Sequence, residues 1–198
     1  MMHQPPAWVL DSSERLTLED FLESFGEAWA RTERRFLKLE CWQLYREADG
    51  VRSQEAFQAG DAALARRLLE DEAMADQPLR DAVKARNLDF TRVRLLSYPL
   101  SDYLSYEMIN YEVRRRLGEH IEFLLPPSPV ESYFDFLLFD SHTALIHDYG
   151  SGPVGYQSGG WLTQHPKALH VLGDIITNLR FRGEQVRPLK GISDTSRA

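Results

Sequence analysis

The sequence has only one cysteine, Cys41, and it has neither a long hydrophobic run nor a basic leader ahead of an apolar stretch. A single cysteine cannot form an internal disulfide or a zinc site made of cysteines, so we expect a protein of a reducing compartment, the cytoplasm. No segment approaches the roughly 18 consecutive apolar residues that a membrane span needs. The first residues also lack the pattern of a signal peptide. These absences predict a cytoplasmic protein that does not cross a membrane.

Basic residues are fewer than acidic ones: 23 Lys and Arg stand against 30 Asp and Glu, which gives a formal net charge of -7. Binding to duplex nucleic acid in general depends on a basic surface, so we do not expect it across this molecule. The run Arg114 to Arg116 is the local exception. It leaves a weaker hypothesis open, an effector that acts on nucleic acid.

The chain of 198 residues, 43% of them hydrophobic, is long and apolar enough to bury one core. We predict a single globular domain over residues 1–182, with a mostly helical part (16–90) and a sheet-forming part (91–182). The polar residues 183–198 show no periodicity and are expected to form a flexible tail.

The first part contains mainly helix signals. Thr17 is placed to cap a helix, and large apolar side chains recur after it at helical spacing. Residues 36–42 alternate as a strand does. Residues 53–84 have the composition of helix, which Gly60 and Pro78 should divide into shorter pieces.

The second part predicts a strand at 91–97, a helix at 101–117 capped by Ser101, and a strand at 121–125, which together suggest a parallel crossover. A β-hairpin over 133–149 follows, then an edge strand near Tyr156 and a last helix that begins at Pro166. The fold class is therefore α/β, with mixed α+β left open. Its centre is a mixed sheet of about five strands flanked by helices.

Four residues of the 101–117 helix share a polar and aromatic stripe, on the side opposite Leu104, Met108 and Tyr111. The stripe consists of Tyr103, Tyr106, Glu107 and Asn110. Arg92 and Arg94 should project from one face of the preceding strand, because strand side chains alternate. An Arg94–Asp135 or Arg94–Glu107 pair beside Tyr103 would then hold a small polar ligand, or perform acid/base work.

Two acids flank the apolar strand of the hairpin, and an acid buried there needs a partner. They are Asp135 and Asp140. We take Tyr103, Glu107 and Asp135 as the catalytic candidates. The ligand-binding candidates are Arg92, Arg94, Tyr106, Asn110 and Asp140. The same residues also fit a salt-bridged network that only fixes the order of the strands.

No cofactor or metal site is predicted. The glycines between residues 150 and 160 lack the lysine of a phosphate-binding loop, and the six histidines lack the spacing of a zinc motif.

From Phe21 to about Gly155 the chain resembles a bacterial domain family of unknown function. The most specific matching segments are PLSDY at 99–103 and DFLLFD at 135–140. RFLKLE at 35–40, RVR at 92–94 and GEHI at 118–121 also match. The family is common in filamentous, antibiotic-producing bacteria and is often encoded near helix-turn-helix regulators.

The resemblance implies a layout similar to half of a phospholipase D-type fold. The hairpin takes the place of the catalytic His and Lys of that fold, and here its strand carries Tyr133, Asp135 and Leu137. His165-Pro166-Lys167 does not supply the missing pair, because the proline suits the start of a helix. The resemblance thus implies a non-catalytic derivative.

Our leading hypothesis is an accessory or regulatory module that binds a protein partner or a small polar ligand through the polar-aromatic face. The alternative is an enzyme of specialised metabolism that uses the same carboxylates and tyrosines for acid/base or group-transfer chemistry. Self-association into a homodimer is left open by both.

Overall fold

A computed structural model describes residues 5–45, 50–150 and 156–186, which build one mixed sheet covered by helices on both faces. The sheet has eight strands in the order β1-β7-β6-β5-β2-β3-β4-β8. In chain order they are β1 (Glu14–Thr17), β2 (Arg35–Glu40), β3 (Asp89–Leu95), β4 (His120–Leu125), β5 (Phe136–Phe139), β6 (Thr143–Asp148), β7 (Gly159–Thr163) and β8 (Glu184–Gln185).

Seven α-helices accompany the sheet in the described part of the chain. They are α1 (Ala7–Leu10), α2 (Leu18–Arg31), α3 (Arg52–Gln58), α4 (Ala62–Ala75), α5 (Gln77–Ala85), α6 (Asp102–Arg116) and α7 (Pro166–Arg182). This architecture confirms the predicted fold class, a mixed sheet with flanking helices.

Strand β2 is the junction of the sheet. It pairs in parallel with β3 on one side and antiparallel with β5 on the other. Strands β3 and β4 are also parallel, with α6 between them in sequence, so the predicted crossover is confirmed. Strands β5 and β6 form the predicted antiparallel hairpin.

The helices divide the apolar core into three clusters. The largest cluster lies on one face of the sheet and joins apolar side chains of α1 and α7 to strands such as β2, β5 and β6. On the other face, α2 covers one half, around Phe36 and Phe139, and α6 covers the other half, around Ile121 and Phe123. Between these two halves the strands carry polar side chains, which form the candidate site.

Local signals fixed the helix boundaries. The Thr17 and Ser101 side chains accept hydrogen bonds from the backbone N–H groups of Asp20 and Leu104, as N-caps do. The long helical stretch is divided where predicted, because α3 ends before Gly60 and α5 begins beside Pro78. Gly60 has a positive φ of 84°, a conformation that glycine adopts without strain.

The sheet differs from the sequence prediction in extent. It has eight strands where we expected about five, and two of the additional strands, β1 and β8, are short and lie at its two edges. The strand expected at an edge near Tyr156 begins at Gly159 and lies inside the sheet, between β1 and β6. The pairing of β1 with β7 joins segments far apart in the sequence, which local patterns do not reveal.

The predicted tail lies mostly outside the described residues, which end at Val186. Its first part, β8, pairs with β4. Residues 151–155 of the glycine-rich segment also lie outside the described residues. No helix in the described part of the chain combines the length and the apolar character needed to cross a bilayer.

Candidate functional site

The polar strip between α2 and α6 is built from alternate residues of two parallel strands. In the β2–β3 register Lys38 stands beside Arg92 and Glu40 beside Arg94. Since side chains two apart in a strand share a face, all four project from the same side of the sheet. The prediction that Arg92 and Arg94 lie on one face therefore agrees with the register.

Glu40 and Arg92 form the central ion pair of this strip. Arg92 donates from Nε and Nη2 to the two Glu40 oxygens, at 3.1 and 3.0 Å, and Lys38 Nζ lies 2.9 Å from Glu40 Oε1. Burial alone raises the pKa of Glu40, but the positive charges of Arg92 and Lys38 outweigh it and hold that pKa well below its usual range. Glu40 is therefore a fixed anion rather than a proton donor.

Arg94 is almost completely buried, with 2% of its surface exposed. Its Nη2 donates to the backbone oxygen of Trp42, and its guanidinium carbon lies 6.0 Å from the ring centroid of Tyr103. Among the described residues it makes no ion pair with Asp135 or Glu107, the two partners considered from sequence, and its Nε has no hydrogen-bond partner.

The buried Asp135 carboxylate holds the segment that follows β2 in place through hydrogen bonds. Its Oδ1 accepts from the backbone nitrogens of Cys41 and Trp42, at 2.6 and 3.0 Å, and from the Cys41 thiol at 2.8 Å. Its Oδ2 accepts from the Tyr149 hydroxyl at 2.7 Å. Burial, and then the charge of Asp135, raises the pKa of both Cys41 and Tyr149. The expected partner of this buried acid is thus a set of four donors.

Asp140 lies at the opposite end of the β2–β5 pair from Asp135 and is not brought near Arg92 or Arg94. Its carboxylate accepts from the backbone nitrogens of Glu33, Arg34 and Arg35, at 2.7, 3.1 and 2.8 Å. Although burial opposes it, these bonds lower the pKa of Asp140. Asp140 stabilises the entry into β2, and we leave it out of the site.

The residues of the predicted stripe on helix α6 contact two different parts of the molecule. Tyr103 packs on the sheet side with Leu104, Tyr111 and Phe123. Tyr111 was predicted on the apolar side of the helix, yet its ring lies 5.0 Å from the Arg92 guanidinium, because the sheet beneath α6 is itself polar at that point. Burial is the largest cause of the raised pKa of both tyrosines.

The other three residues of the stripe face a cavity of about 600 Å³ between α3, α4 and α6. Tyr106 and Glu107 are buried, and the Tyr106 hydroxyl lies 2.8 Å from Ser53 Oγ. The Asn110 amide donates to Glu107 Oε1 at 3.3 Å. The remainder of the lining consists of Gly50, Val51, Arg52, Leu68, Asp71, Glu72 and Arg114.

Arg114 connects this wall of the cavity to neighbouring acidic residues through hydrogen bonds and ion pairs. Its Nε donates to Asn110 Oδ1 at 3.0 Å, and its Nη1 lies 2.9 Å from both Asp76 and Glu119. Glu119 also approaches Arg92, at 3.5 Å. One chain of charged groups therefore runs from the polar strip of the sheet to the cavity.

Sequence reasoning missed Glu40 and the acids of α4, Asp71 and Glu72. Glu40 carried a usable signal, since it follows Lys38 by two residues in a predicted strand and therefore shares a face with it. The α4 acids carried none, because exposed acids are common on helices and only the tertiary packing directs these two toward a cavity.

No three His, Cys, Asp or Glu side chains of the described residues come together as a metal-binding group. The chemistry that the arrangement offers is hydrogen bonding and charge at the cavity wall.

Comparison with known proteins gives a family without an assigned activity. The model of a domain of unknown function, DUF6879, matches residues 23–187. No curated protein matches the chain in sequence.

Two solved structures show weak similarity. One is Nuc, a phospholipase D family member from Salmonella typhimurium, with a TM-score of 0.43 and 11% identity over 81% of this chain and 87% of that chain. The other is TrmBL2, an archaeal chromatin protein with a novel mode of DNA binding, with a TM-score of 0.43 and 9% identity over 94% of this chain and 57% of that one.

Proposed function

The chain belongs to the DUF6879 family of domains of unknown function, and we propose that it is an accessory or regulatory module that binds a small polar ligand. The observation that carries the proposal is the cavity of about 600 Å³ walled by Tyr106, Glu107 and Asn110. Cavities of several hundred Å³ with a few convergent polar groups are typical small-molecule sites. Of the residues expected from sequence to form the polar-aromatic face, we retain these three as the proposed binding surface.

The contacts of the other candidates favour binding over catalysis. A general acid or base needs an available proton site and a pKa near the working pH. Asp135 has both oxygens occupied by four donors, and Glu40 is held as an anion by Arg92 and Lys38. These carboxylates stabilise the fold, and we do not assign them a step in acid/base or group-transfer chemistry.

We further propose a cytoplasmic location and a regulatory role. The location is supported by the single cysteine, since Cys41 is buried and has no second cysteine to pair with. The regulatory role follows from what the family resemblance implies, that relatives are often encoded near helix-turn-helix regulators. A ligand-binding domain beside such regulators would report the presence of a small molecule.

A titration with three five-carbon probes tests the binding proposal. Pentylamine, pentanol and pentanoate share an apolar body and differ in charge, and each is added to the full chain while backbone amide shifts are followed by NMR. We expect at least one probe to shift amides of α3, α4 and α6 in a saturable way.

The Leu68→Trp variant, which places a larger side chain in the cavity wall, should abolish these shifts, while Arg67→Trp on the exposed side of α4 should keep them. Binding of no probe, or undiminished binding after Leu68→Trp, would overturn the proposed function.

A further inference from the structure

We infer that the cavity between α3, α4 and α6 selects organic cations, that is, small molecules with an ammonium group and a short apolar body. The inference deepens the proposed function and rests on it. It depends on one buried carboxylate in the cavity wall and on how the neighbouring charges are already paired.

Glu107 is the only buried acid of the cavity lining among the described residues, with 5% of its surface exposed. Within the described part of the chain, its carboxylate accepts one hydrogen bond, from the neutral Asn110 amide at 3.3 Å. No basic side chain of the described residues forms an ion pair with it, whereas Glu40, Glu119 and Glu122 all pair with arginines. A buried carboxylate is stabilised by charged donors, so Glu107 favours a cation in the cavity.

Arg114 also lines the cavity, but its charge is already balanced. Its Nη1 lies 2.9 Å from both Asp76 and Glu119, which are two carboxylates for one guanidinium. Its Nε donates to Asn110 Oδ1, so the Asn110 oxygen faces Arg114 and the amide nitrogen faces Glu107. Asn110 thus bonds to both Arg114 and Glu107. Arg92 is near enough to interact with Glu107 electrostatically, but the two form no ion pair among the described residues, so Glu107 remains able to accept a charged donor from a ligand.

The mouth of the cavity adds further negative charge. Asp71 and Glu72 of α4 are exposed there, opposed by Arg52 at the start of α3. Leu68 and Val51 supply apolar surface to the cavity wall. A ligand that fits carries its positive group at Glu107 and an aliphatic chain against Leu68.

A bare metal ion fits less well than an organic cation. Metal sites need several converging oxygen, nitrogen or sulfur ligands, and no group of three such side chains exists in the described part of the chain. A single carboxylate beside apolar side chains is instead a suitable partner for an alkylammonium group.

The three-probe titration separates this inference from the proposed function. Because a charge-assisted hydrogen bond adds to the shared apolar contact, pentylamine should bind about tenfold more tightly than pentanol, and pentanoate should bind most weakly. Magnesium chloride at the same concentration should leave the cavity amides unshifted.

If pentanol or pentanoate binds in the cavity as well as pentylamine does, the cation inference is wrong while the binding function stands. If none of the three binds, the binding function itself fails.

Variants of α6 test whether the Glu107 carboxylate causes the preference for pentylamine. Glu107→Gln keeps the shape and should reduce pentylamine binding to the level of pentanol, with pentanol itself unchanged. The matched control is Glu112→Gln on the same helix, since Glu112 is exposed, pairs with Arg66 and Arg116, and does not line the cavity.

Arg52→Ala provides a second measurement that does not touch a buried residue. It removes a cation of the cavity lining that forms no ion pair within the described part of the chain, so it should tighten pentylamine binding and weaken pentanoate binding. This variant decides the matter if Glu107→Gln does not fold. A preference for pentylamine over pentanol that persists in Glu107→Gln would refute a cation site at Glu107. If that variant does not fold, a preference for pentylamine that Arg52→Ala leaves unchanged would refute it.

Discussion

Glu40 shows how a single buried carboxylate can be held in the charged state. It lies between Arg92 and Lys38, and both of its oxygens are occupied by basic groups. Removing one partner of a buried ion pair leaves the other charge uncompensated. This destabilises the folded protein by more than the intact pair stabilises it. Arg92 keeps a second partner in Glu119, so part of this cost is relieved.

We therefore predict that Glu40→Gln lowers the free energy of unfolding at neutral pH by about 3 kcal/mol. The pKa of Glu40 is lowered in the folded state, so its contribution is present above the ordinary carboxyl pKa and is lost as the pH falls below it. The difference between wild type and variant should accordingly shrink between about pH 5 and pH 3. Urea unfolding across this range measures it.

Glu33→Gln is the control for that experiment, because Glu33 is exposed just before β2 and no side-chain ion pair of Glu33 exists among the described residues. It should give a small difference at every pH. A difference for Glu40→Gln that stays constant on acidification would show that Glu40 binds protons equally in the folded and unfolded states, so that folding does not lower its pKa.

The sequence indicated several polar residues of the site, such as Arg94 and Glu107, but neither their burial nor their contacts. Alternation along β3 was enough to place Arg92 and Arg94 on one face. The partners of Asp135 are backbone groups and a thiol of the segment after β2, more than 90 positions away in sequence, and no pattern identifies them. Tyr111 packs in the apolar cluster with Leu104 and Met108, on the side that helical spacing predicts, but that spacing does not tell that the sheet beneath it also carries arginines.

At the scale of elements, two glycines on neighbouring structures have opposite roles. Gly160 in β7 lies under α2, where an added Cβ would meet the Phe21 ring at 2.6 Å and the backbone oxygen of Ile146. Gly26 lies in the middle of α2 with nothing within 4 Å of such a Cβ. One glycine allows close packing of helix on sheet, while the other only weakens its helix.

We predict that Gly160→Ala lowers the free energy of unfolding by about 2–3 kcal/mol, because α2 or β6 must move to accommodate the methyl group. Gly26→Ala should raise it by about 0.5–1 kcal/mol, since alanine restricts the unfolded chain and favours helix. Thermal and urea unfolding of the two variants measure these changes. A neutral Gly160→Ala would mean that α2 does not press on β7 in solution.

Helices were easier to predict than strands. The caps at Thr17 and Ser101 and the breaks at Gly60 and Pro78 are local, so short stretches of sequence contain the whole signal. Strands β1 and β8 are short and lie at the edges, and they are defined only by pairing with β7 and β4. The order of the sheet therefore had to come from the structure.

At the scale of the whole molecule, the basic run at the end of α6 offers little free positive charge. Arg114 pairs with Asp76 and Glu119, Arg116 pairs with Glu112, and Arg115 lies 5.8 Å from the ring centroid of Phe123. These contacts, together with the net charge of -7, weaken the hypothesis of an effector that acts on nucleic acid.

We accordingly predict that the protein does not bind a duplex of about 20 base pairs at about 50 mM salt, measured by fluorescence anisotropy. Arg115→Glu should then make no difference, because there is no binding to lose. Affinity that falls steeply as the salt concentration rises would contradict this prediction and restore the basic run as a phosphate-contacting surface.

The pairing of β1 with β7 has a consequence for how the chain is made. The Arg15 side chain bonds to the backbone oxygen of Gly160, 145 positions later. A ribosome needs roughly 7–30 s to synthesise that interval, at about 5–20 residues per second. Throughout this time the first strand and the adjoining surface of α2 have no sheet to join. We expect the nascent protein to depend on chaperones until its last third has emerged.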